Sequence, residues 1–512
     1  MRESGILCPV SSIWSPYGIG CFSKEAYEFV DFLKESGQSY WQVLPFGPTG
    51  YGDSPYQSFS TFAGNPYFIS PDGLMKDGLL TQDELAQFDF GTDPEVVDYG
   101  ALYNNRYKML KIAYEKFMKK PDKEFADFKK ANADWLDDYC LYTVIKAANE
   151  GENWTKWAAP LRLRDKDALD KARKQYADEI DFCAFQQYEF MKQWLALKAY
   201  ANENGIKIIG DIPFYTAFDS ADTWGNPEMF LFDEDNKPTK VAGCPPDAFS
   251  PVGQLWGNPI YNWAYLKKEN YAWWIARIRH NLKLCDVLRV DHFRAFDAYY
   301  EIPGDAKDAV NGKWVKGPGM ALFKAVKKEL GDVEMIAEDL GYITESVKKL
   351  VKNTGFPGMK VLQFAFDSRE ESDYLPHNYE HNCVVYTGTH DNETTRGWIE
   401  NIPNEDRDFA RRYINSLYTN YDAFTWDFIR CAQASTADLC IVPIQDYLVK
   451  GNEARMNHPS TLGKNWKWRI KPNYLSKELA KSIYEMTKLY CRVPKVEKEE
   501  EEEKDAKNEP RG

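Results

Sequence analysis

Eight short apolar runs recur along this chain, and helix-like stretches lie between most of them. Alternation of this kind is typical of parallel β/α units. Eight is also the number of strands that a closed parallel barrel requires. The chain is therefore expected to be an α/β protein built on a TIM (β/α)8 barrel. The runs are ILCPV (6–10), YWQVLP (40–45), IKIIGDIP (206–213), VLRVDHF (287–293), EMIAEDL (334–340), KVLQFAF (360–366), CVVYTGT (383–389) and CIVPIQD (440–446).

The spacing between these runs predicts how the chain of 512 residues is divided. Residues 1–75 are expected to form the first part of the barrel with a substrate-binding loop. Residues 76–200 are helical in pattern and rich in charge, which indicates an inserted helical subdomain. Residues 201–494 complete the barrel, with extended loops over its C-terminal face. The acidic segment 495–512 has the composition of a disordered tail.

The pattern also predicts where individual helices begin and end. Ser23 is placed to cap a helix with a buried face, and Gly37 is placed to end it. A second helix is expected from Thr344 to Asn353, just before Gly355.

Composition limits the binding partners and the cellular compartment that can be expected for this chain. A formal net charge of −14 argues against a nucleic-acid partner, because phosphate binding needs a clustered basic face. The 10 cysteines show no CxxC pairing, the start of the chain lacks a signal-like region, and no long apolar run is present. A cytoplasmic, soluble protein with no membrane partner is expected. Aromatic residues make up 15% of the chain, and the surplus suits stacking on sugar rings.

Four of the runs end in, or are followed by, carboxylates: Asp211, Asp291, Glu338 and Asp391. In a parallel barrel, catalytic side chains lie at the carboxyl ends of the strands. Several acids delivered to one rim predict acid–base or nucleophilic chemistry.

Each acid has an ordinary structural alternative. Asp291 shares a strand face with Arg289, which favours an ionised nucleophile but also fits an ion pair at the rim. Glu338 could donate a proton from an apolar cleft or satisfy amides at a helix start. Asp391 follows His390, and this pair could hold hydroxyls, bind a metal or cap a helix. Two carboxylates on either side of an acetal are the arrangement of glycoside chemistry, so glycosyl transfer or hydrolysis is the leading interpretation.

Two polar segments rich in aromatic residues are candidates for substrate contact. Residues 47–67 combine Gly, Tyr, Phe, Ser and Asn in a loop that could stack on rings and bind hydroxyls, or form only an ordered turn cluster. Residues 245–263 have the composition expected of a lid over a groove. The aromatic residues of this segment, which could instead belong to the hydrophobic core, are Phe249, Trp256, Tyr261 and Trp263.

The motifs resemble those of a known family. GILCPVSSIWSPYGIG, GPTGYGDSPYQSFSTFAGNPY, GDIPFY, PPDAFSPVGQLWGNPIY, LRVDHFRAF, AEDLG, GTHDNET and ARMNHPST occur in the order seen in the 4-α-glucanotransferases of glycoside hydrolase family 77, also called amylomaltases or disproportionating enzymes. The resemblance covers nearly the whole chain apart from the tail. One departure is SSIWSP, where the family more often has a Leu-Pro pair.

The resemblance implies the roles of individual residues. Asp291 would be the nucleophile, Glu338 the general acid/base and Asp391 the stabiliser of the transition state in a retaining transfer between α-1,4-glucans or maltooligosaccharides. No cofactor and no metal are implied. Further substrate contacts would come from Tyr56, Asp211, Gln254, Trp256, Arg289, His390, Arg455 and Asn457.

Three other functions remain open at this point. The first is an α-amylase-like hydrolase. The second is a metal-dependent barrel hydrolase with His292 and His390 among its ligands, although no HxH or HExxH spacing occurs. The third is a glucan-binding protein without catalytic activity.

Overall fold

The computed structural model describes residues 2–50, 52–246, 250–341 and 343–494. Within these ranges the strands are β1 (Glu3–Leu7), β2 (Tyr40–Gln42), β3 (Lys207–Pro213), β4 (Lys240–Cys244), β5 (Gln254–Pro259), β6 (Val287–Asp291), β7 (Ala298–Pro303), β8 (Lys313–Lys316), β9 (Met335–Ala337), β10 (Gly358–Val361), β11 (Cys383–Tyr386) and β12 (Leu439–Pro443).

Eight of these strands close into a parallel barrel, which confirms the expected fold. Their order around the barrel is β1-β12-β11-β10-β9-β6-β3-β2. Each neighbouring pair is parallel, and each of the eight apolar runs supplies one strand. In the register of β3 with β6, Asp211 is the partner of Arg289. A charged pair is thus built into the ladder near the carboxyl ends of two strands.

Several strands have other boundaries than the apolar runs that predicted them, and at two of them the reason is clear. The first run was expected at 6–10, but β1 spans Glu3–Leu7, because Pro9 has no amide hydrogen to continue the ladder and a short 3₁₀ helix follows at Val10–Ser12. The run at 360–366 continues past β10 as a 3₁₀ helix, Leu362–Ala365. Leu362 and Ala365 are buried there, so their apolar character reflects packing in a turn rather than in a strand.

A packed core fills the inside of the barrel, as expected for a closed eight-stranded barrel. Most of its side chains come from the barrel strands, and Trp466 and Met456 close it from the loop after β12. The buried members are Leu7, Tyr40, Leu44, Ile209, Val287, Ile336, Met359, Val384, Tyr386, Ile441, Met456 and Trp466.

A small antiparallel sheet lies beside the barrel, in the order β5-β4-β7-β8. Its strands β4 and β5 come from the connection between β3 and β6, and β7 and β8 from the connection between β6 and β9. One face of this sheet packs on its own small apolar cluster around Tyr300 and Ile302. The sheet therefore carries side chains from two barrel connections toward the rim.

The helices in the described residues surround the barrel. They are α1 (Lys24–Glu35), α2 (Pro71–Lys76), α3 (Gln82–Leu85), α4 (Tyr99–Phe117), α5 (Lys123–Ala131), α6 (Ala133–Ala148), α7 (Ala159–Arg162), α8 (Lys166–Gln175), α9 (Ala177–Glu203), α10 (Ala221–Gly225), α11 (Trp263–Lys268), α12 (Ala272–Leu284), α13 (Met320–Leu330), α14 (Glu345–Thr354), α15 (Thr395–Asn401), α16 (Asn404–Ile414), α17 (Tyr421–Ala434), α18 (Ile444–Tyr447) and α19 (Lys477–Leu489). No helix in the described part of the chain has both the length and the apolar character needed to cross a membrane.

The positions of the two predicted helices are confirmed, but the predicted side-chain cap at Ser23 is wrong. The helix α1 follows Ser23 and stops before Gly37, whose φ of 70° lies in the left-handed region that favours glycine. The hydroxyl of Ser23 donates to the side chain of Glu25 instead of accepting from the helix. At α14 the side chain of Thr344 does accept from an amide in the first turn, and Gly355 ends the helix with φ of 77°.

Helices α2–α9 occupy the long connection between β2 and β3. The division of the chain at 75 and 200 stays a prediction, and α9 continues past 200 to Glu203. The predicted acidic tail, 495–512, lies outside the described residues.

Candidate active site

The predicted site residues meet at the carboxyl end of the barrel. Asp211 lies near the end of β3, Asp291 is the last residue of β6, and Glu338 directly follows β9. Asp391 lies in the loop after β11. Side chains from the loops after β2 and β12, Tyr56 and Asn457 among them, approach the same group.

Arg289 links two of the acids. Its Nη1 lies 2.5 Å from Asp211 Oδ2, and its Nη2 lies 3.0 Å from Asp291 Oδ1. The side chain of Asp211 is 0% exposed, whereas that of Asp291 is 30% exposed. Burial raises the pKa of Asp211 to about 6, although the charge of Arg289 opposes this rise. Asp291 is therefore the acid of this pair that is oriented by an arginine and still reachable from the cleft.

Tyr56 covers Asp211 from the loop after β2. Its hydroxyl donates to Asp211 Oδ2 at 2.7 Å. Its ring stacks on that of His390, with centroids 4.8 Å apart and planes 18° from parallel. Burial and the nearby charge of Asp211 hold the pKa of Tyr56 well above its usual value, so the phenol stays protonated and remains a donor.

Glu338 is held by backbone amides. The N–H of His292 donates to Oε2 at 2.6 Å, and the N–H of Leu340 donates to Oε1 at 2.8 Å. Burial and, after it, the charge of Asp291 raise the pKa of Glu338 to about 7, more than these bonds lower it. Near neutral pH a proton on Glu338 is available for transfer.

His292, the residue after Asp291, has a left-handed backbone, with φ of 56° and ψ of 44°. Non-glycine residues seldom adopt this region, and such strain concentrates at functional sites. Because of this conformation the chain turns away from β6 at once, and the amide of His292 reaches the Glu338 carboxylate. The strained residue therefore connects the two acids through the backbone.

Asp391 has partners on both oxygens. Asn457 Nδ2 donates to Oδ1 at 2.6 Å, and His390 Nε2 lies 3.4 Å from Oδ2. Burial would raise the pKa of Asp391, but the charge and hydrogen bond of His390 and the bond from Asn457 hold it well below the usual value. Burial alone would lower the pKa of His390, but the charge of Asp391 and the hydrogen bond to it raise this pKa above its usual value. Arg455 fixes the same loop by donating to the carbonyl of Asp391 at 2.7 Å. The side chain of Asp391 is 46% exposed and carries negative charge into the open cleft.

The segment 245–263 differs from the predicted loop. Residues 254–259 form strand β5, paired with β4, and α11 begins at Trp263. Trp256 Nε1 donates to Gln254 Oε1 at 3.0 Å, and the ring of Trp256 lies 5.0 Å from that of His292 at 87°. Trp256 is therefore connected to the site by its contact with His292, and Gln254 by its hydrogen bond with Trp256. Tyr261 is buried in the core, and Phe249 lies outside the described residues.

Two residues beside the acids were not predicted as substrate contacts. The ring of Trp466 lies 5.9 Å from both Tyr56 and His390, and closes the aromatic group on the side of the loop after β12. The imidazole of His292 contacts Trp256, and burial lowers its pKa to about 4, so the ring is neutral at pH 7. The surplus of tryptophan in NWKW, shortly after ARMNHPST, was a usable signal for Trp466.

In the described residues no group of three or more His, Cys, Asp or Glu side chains is arranged to hold a metal ion. His390, one of the suggested ligands, lies 3.3 Å from the Tyr56 hydroxyl through Nδ1 and faces Asp391 through Nε2. Both ring nitrogens therefore have protein partners.

Taken chemically, the site pairs an acid that is protonated near neutral pH with a reachable carboxylate oriented by an arginine. A third carboxylate, Asp391, lies beside His390, whose ring stacks on that of Tyr56. This arrangement suits a neutral substrate with a leaving oxygen and developing positive charge, as in the cleavage of an acetal.

Comparison with known proteins identifies the family. The family model described as 4-alpha-glucanotransferase, glycoside hydrolase family 77, matches residues 8–476. The 4-alpha-glucanotransferase of Clostridium butyricum is 50% identical over 485 residues, covering 94% of this chain and 99% of that protein. That of Streptococcus pneumoniae serotype 4 is 47% identical over 495 residues, covering 96% and 98%. The amylomaltase of Streptococcus agalactiae, solved with acarbose, matches with a TM-score of 0.94 and 42% identity over 96% of this chain and 100% of that chain. The chain belongs to the 4-alpha-glucanotransferase family of enzymes, glycoside hydrolase family 77.

Proposed function

We propose that this enzyme transfers a segment of an α-1,4-glucan to the 4-hydroxyl of another glucan or of glucose, through a covalent glycosyl-enzyme. Starch, glycogen or maltooligosaccharides would be the substrates. The observation that carries the proposal is the placement of Glu338, held by the amides of His292 and Leu340, beside the arginine-bound Asp291, whose charge helps to raise the pKa of Glu338 to about 7. Membership of the family supports the substrate class. A cytoplasmic location stays a prediction, which cell fractionation would test.

In the first step Asp291 attacks the anomeric carbon of the donor. The bond from that carbon to the leaving 4-oxygen breaks, and Glu338 gives its proton to this oxygen. The products are a free glucan chain and an ester between Asp291 and the glycosyl group. The bond from Arg289 Nη2 to Asp291 Oδ1 aims the carboxylate during this attack.

In the second step Glu338 acts as a base. The charge of Asp291 helps to raise the pKa of Glu338, and this charge disappears when Asp291 becomes an ester. The pKa of Glu338 then falls, so the same group can accept the proton of the incoming 4-hydroxyl. That oxygen attacks the anomeric carbon, the ester bond breaks, and Asp291 leaves as a carboxylate. Two inversions give net retention.

The remaining residues would bind the sugar at the cleavage point. Asp391 carries negative charge beside the ring that becomes oxocarbenium-like, and Asn457 and His390 orient it. Tyr56 offers a ring face for stacking, and Asp211 with Arg289 fixes the floor of the site. Trp256, with Gln254 beside it, would line the acceptor side and help to exclude water.

Products formed from maltotriose test transfer against hydrolysis. Transfer predicts glucose together with chains longer than maltotriose and no net gain of reducing ends. Accumulation of reducing ends without longer chains would mean that the enzyme is a hydrolase. Glucan binding without any change in chain length would mean that the site is inactive.

A trapping experiment tests the covalent step. An α-maltosyl fluoride donor needs no proton for its leaving group, so a Glu338→Gln variant should form the glycosyl-enzyme and release it slowly. Mass spectrometry of peptides should then find the glycosyl group on the peptide that contains Asp291. An adduct on a different acid, or inversion in the products of the unmodified enzyme, would refute the proposed mechanism.

A further inference from the structure

The eighth apolar run, CIVPIQD, also ends in a carboxylate, Asp446, which the two steps of the proposed mechanism do not use. Asp446 lies on α18, shortly after β12, and is 1% exposed. A glucan in the open cleft therefore cannot reach it. Burying a carboxylate is unfavourable unless hydrogen bonds replace its hydration, so the partners of this side chain indicate what it does.

The partners of Asp446 lie at the two ends of one loop. Thr387, the residue after β11, donates its hydroxyl to Oδ2 at 2.6 Å. Thr395, the first residue of α15, donates its hydroxyl to Oδ2 at 2.6 Å and its amide to Oδ1 at 2.7 Å. Both threonines are buried. One carboxylate thus binds the two residues that flank the Asp391 loop, residues 388–394.

The Asp391 loop is also braced by hydrogen bonds of its own. Thr389 donates its amide and its hydroxyl to Asn392 Oδ1, at 2.9 and 2.8 Å. Gln363, from the 3₁₀ helix after β10, donates to the carbonyl of Glu393 at 2.9 Å. Because such bonds stiffen the loop, the position of Asp391 follows the position of the two loop ends.

The connection that carries Asp446 holds the Asp391 loop a second time. Further along this connection, Arg455 donates to the carbonyl of Asp391 at 2.7 Å. Gln445, next to Asp446 on α18, donates to the carbonyl of Ala454 at 3.2 Å and so supports the segment that contains Arg455. The short helix α18 therefore stabilises both the ends of the Asp391 loop and the chain that contacts its middle.

We propose that Asp446 is a positioning residue: by accepting hydrogen bonds from Thr387 and Thr395, it holds the Asp391 loop where the Asp391 carboxylate meets the reacting sugar ring. The inference rests on the proposed function, in which Asp391 stabilises the transition state. Displacement of such a group is costly, since an error of about 1 Å can lower a rate by about 100-fold. Asp446 thus affects the rate without touching the glucan.

Substitution of the two threonines tests this positioning with little change of shape. Thr387→Val and Thr395→Val each remove one hydroxyl donor to Asp446 and keep a branched side chain. Each should lower kcat, measured as maltotriose consumed, by roughly 3- to 10-fold and leave KM almost unchanged, because Asp391 acts on the transition state. Thr425→Val is the matched control, since this buried hydroxyl donates to a carbonyl of its own helix, α17. Equal kcat values in the three variants would overturn the proposal.

Variants of Asp446 itself separate hydrogen bonding from charge. Asp446→Ala removes the acceptor of both threonines and should lower kcat by about 10- to 100-fold. Asp446→Asn should restore most of the activity, because its amide oxygen can accept from the Thr395 amide and its N–H groups can donate to the hydroxyls. If the folded Asn variant is as inactive as the folded Ala variant, the charge of Asp446 is what matters and the proposal is wrong. If the Ala variant does not fold, the two threonine variants decide.

A double substitution distinguishes failure of this inference from failure of the proposed function. If Asp446 acts through Asp391, Thr387→Val should reduce the residual turnover of Asp391→Asn much less than it reduces that of the native chain. An equal reduction in both backgrounds, with Asp391→Asn itself strongly impaired, would overturn the inference and leave the proposed function standing. Native turnover by Asp391→Asn would instead refute the proposed role of Asp391, and the inference with it.

Discussion

The backbone N–H of His292 donates to Glu338 Oε2 at 2.6 Å, so the residue that follows one acid binds the other. The position of Glu338 relative to Asp291 is therefore fixed by main chain, with no long side chain between them. Two consequences follow for experiments on these acids. Isosteric substitution of either side chain, to Asn or Gln, should leave the strand ends in place, so loss of activity should reflect chemistry rather than unfolding.

Asp291→Asn should abolish turnover of maltotriose, by a factor on the order of 10⁴ or more, because an amide cannot form the glycosyl ester. Glucan binding and thermal unfolding should change little. Asp286, just before the opposite end of β6, offers a matched control: its carboxylate accepts from Lys198, Asn202 and the amide of Ile208. Asp286→Asn should lower stability and retain kcat. Full turnover by the Asp291 variant would remove Asp291 from the mechanism.

The rate should depend on the protonation of Glu338. Because its pKa is raised to about 7, the acid form is present below that pH and is lost as pH rises through it. The basic limb of the kcat/KM profile for maltotriose should therefore fall near neutral pH, where the free enzyme loses this proton. The limb should be absent from the residual activity of Glu338→Gln. A profile that stays flat well into the alkaline range would contradict the assignment of Glu338 as the acid.

Asn457→Ala should reduce kcat/KM by about 10- to 100-fold, since it removes a hydrogen bond to the charged Asp391. The loss should appear mainly in kcat if Asp391 acts on the transition state. Asn401→Ala is the control, because this exposed asparagine donates to Glu393 instead. Equal losses in the two variants would mean that Asn457 only stabilises its loop and does not act through Asp391.

Trp256→Ala should increase the share of hydrolysis several-fold relative to transfer, because the acceptor side then admits water more readily. Leu255 is a matched control on the same strand. Successive side chains of a strand point to opposite faces, so Leu255 does not share the face of Trp256 that contacts His292. Reducing ends and chain lengths, measured together, give the ratio. If Trp256→Ala leaves the ratio unchanged while Leu255→Ala alters it, a residue other than Trp256 excludes water.

The barrel could be predicted because its strands are buried on both faces and read as continuous apolar runs. The acids could be predicted because each one lies near the end of such a run or shortly after it, as Asp291 does at the end of β6. The pairing of Arg289 with Asp211 required the register of β3 with β6, which no local pattern encodes.

The small sheet was less predictable. Strand β5 contains Gly257, Asn258 and Pro259, residues that are uncommon in strands, and its first half is largely open to solvent. Its strand character comes from pairing with β4, a contact within one long connection. The contact between Trp256 and His292 also depends on this pairing, so the spacing of residues along the chain could not predict it.

The left-handed turn at His292 also bears on engineering. A designer who transfers only the carboxylates of this site to another barrel would lose the amide that meets Glu338, because a regular strand end directs that amide elsewhere. The transplanted unit has to include the strained residue itself, together with the neighbours that compensate its strain.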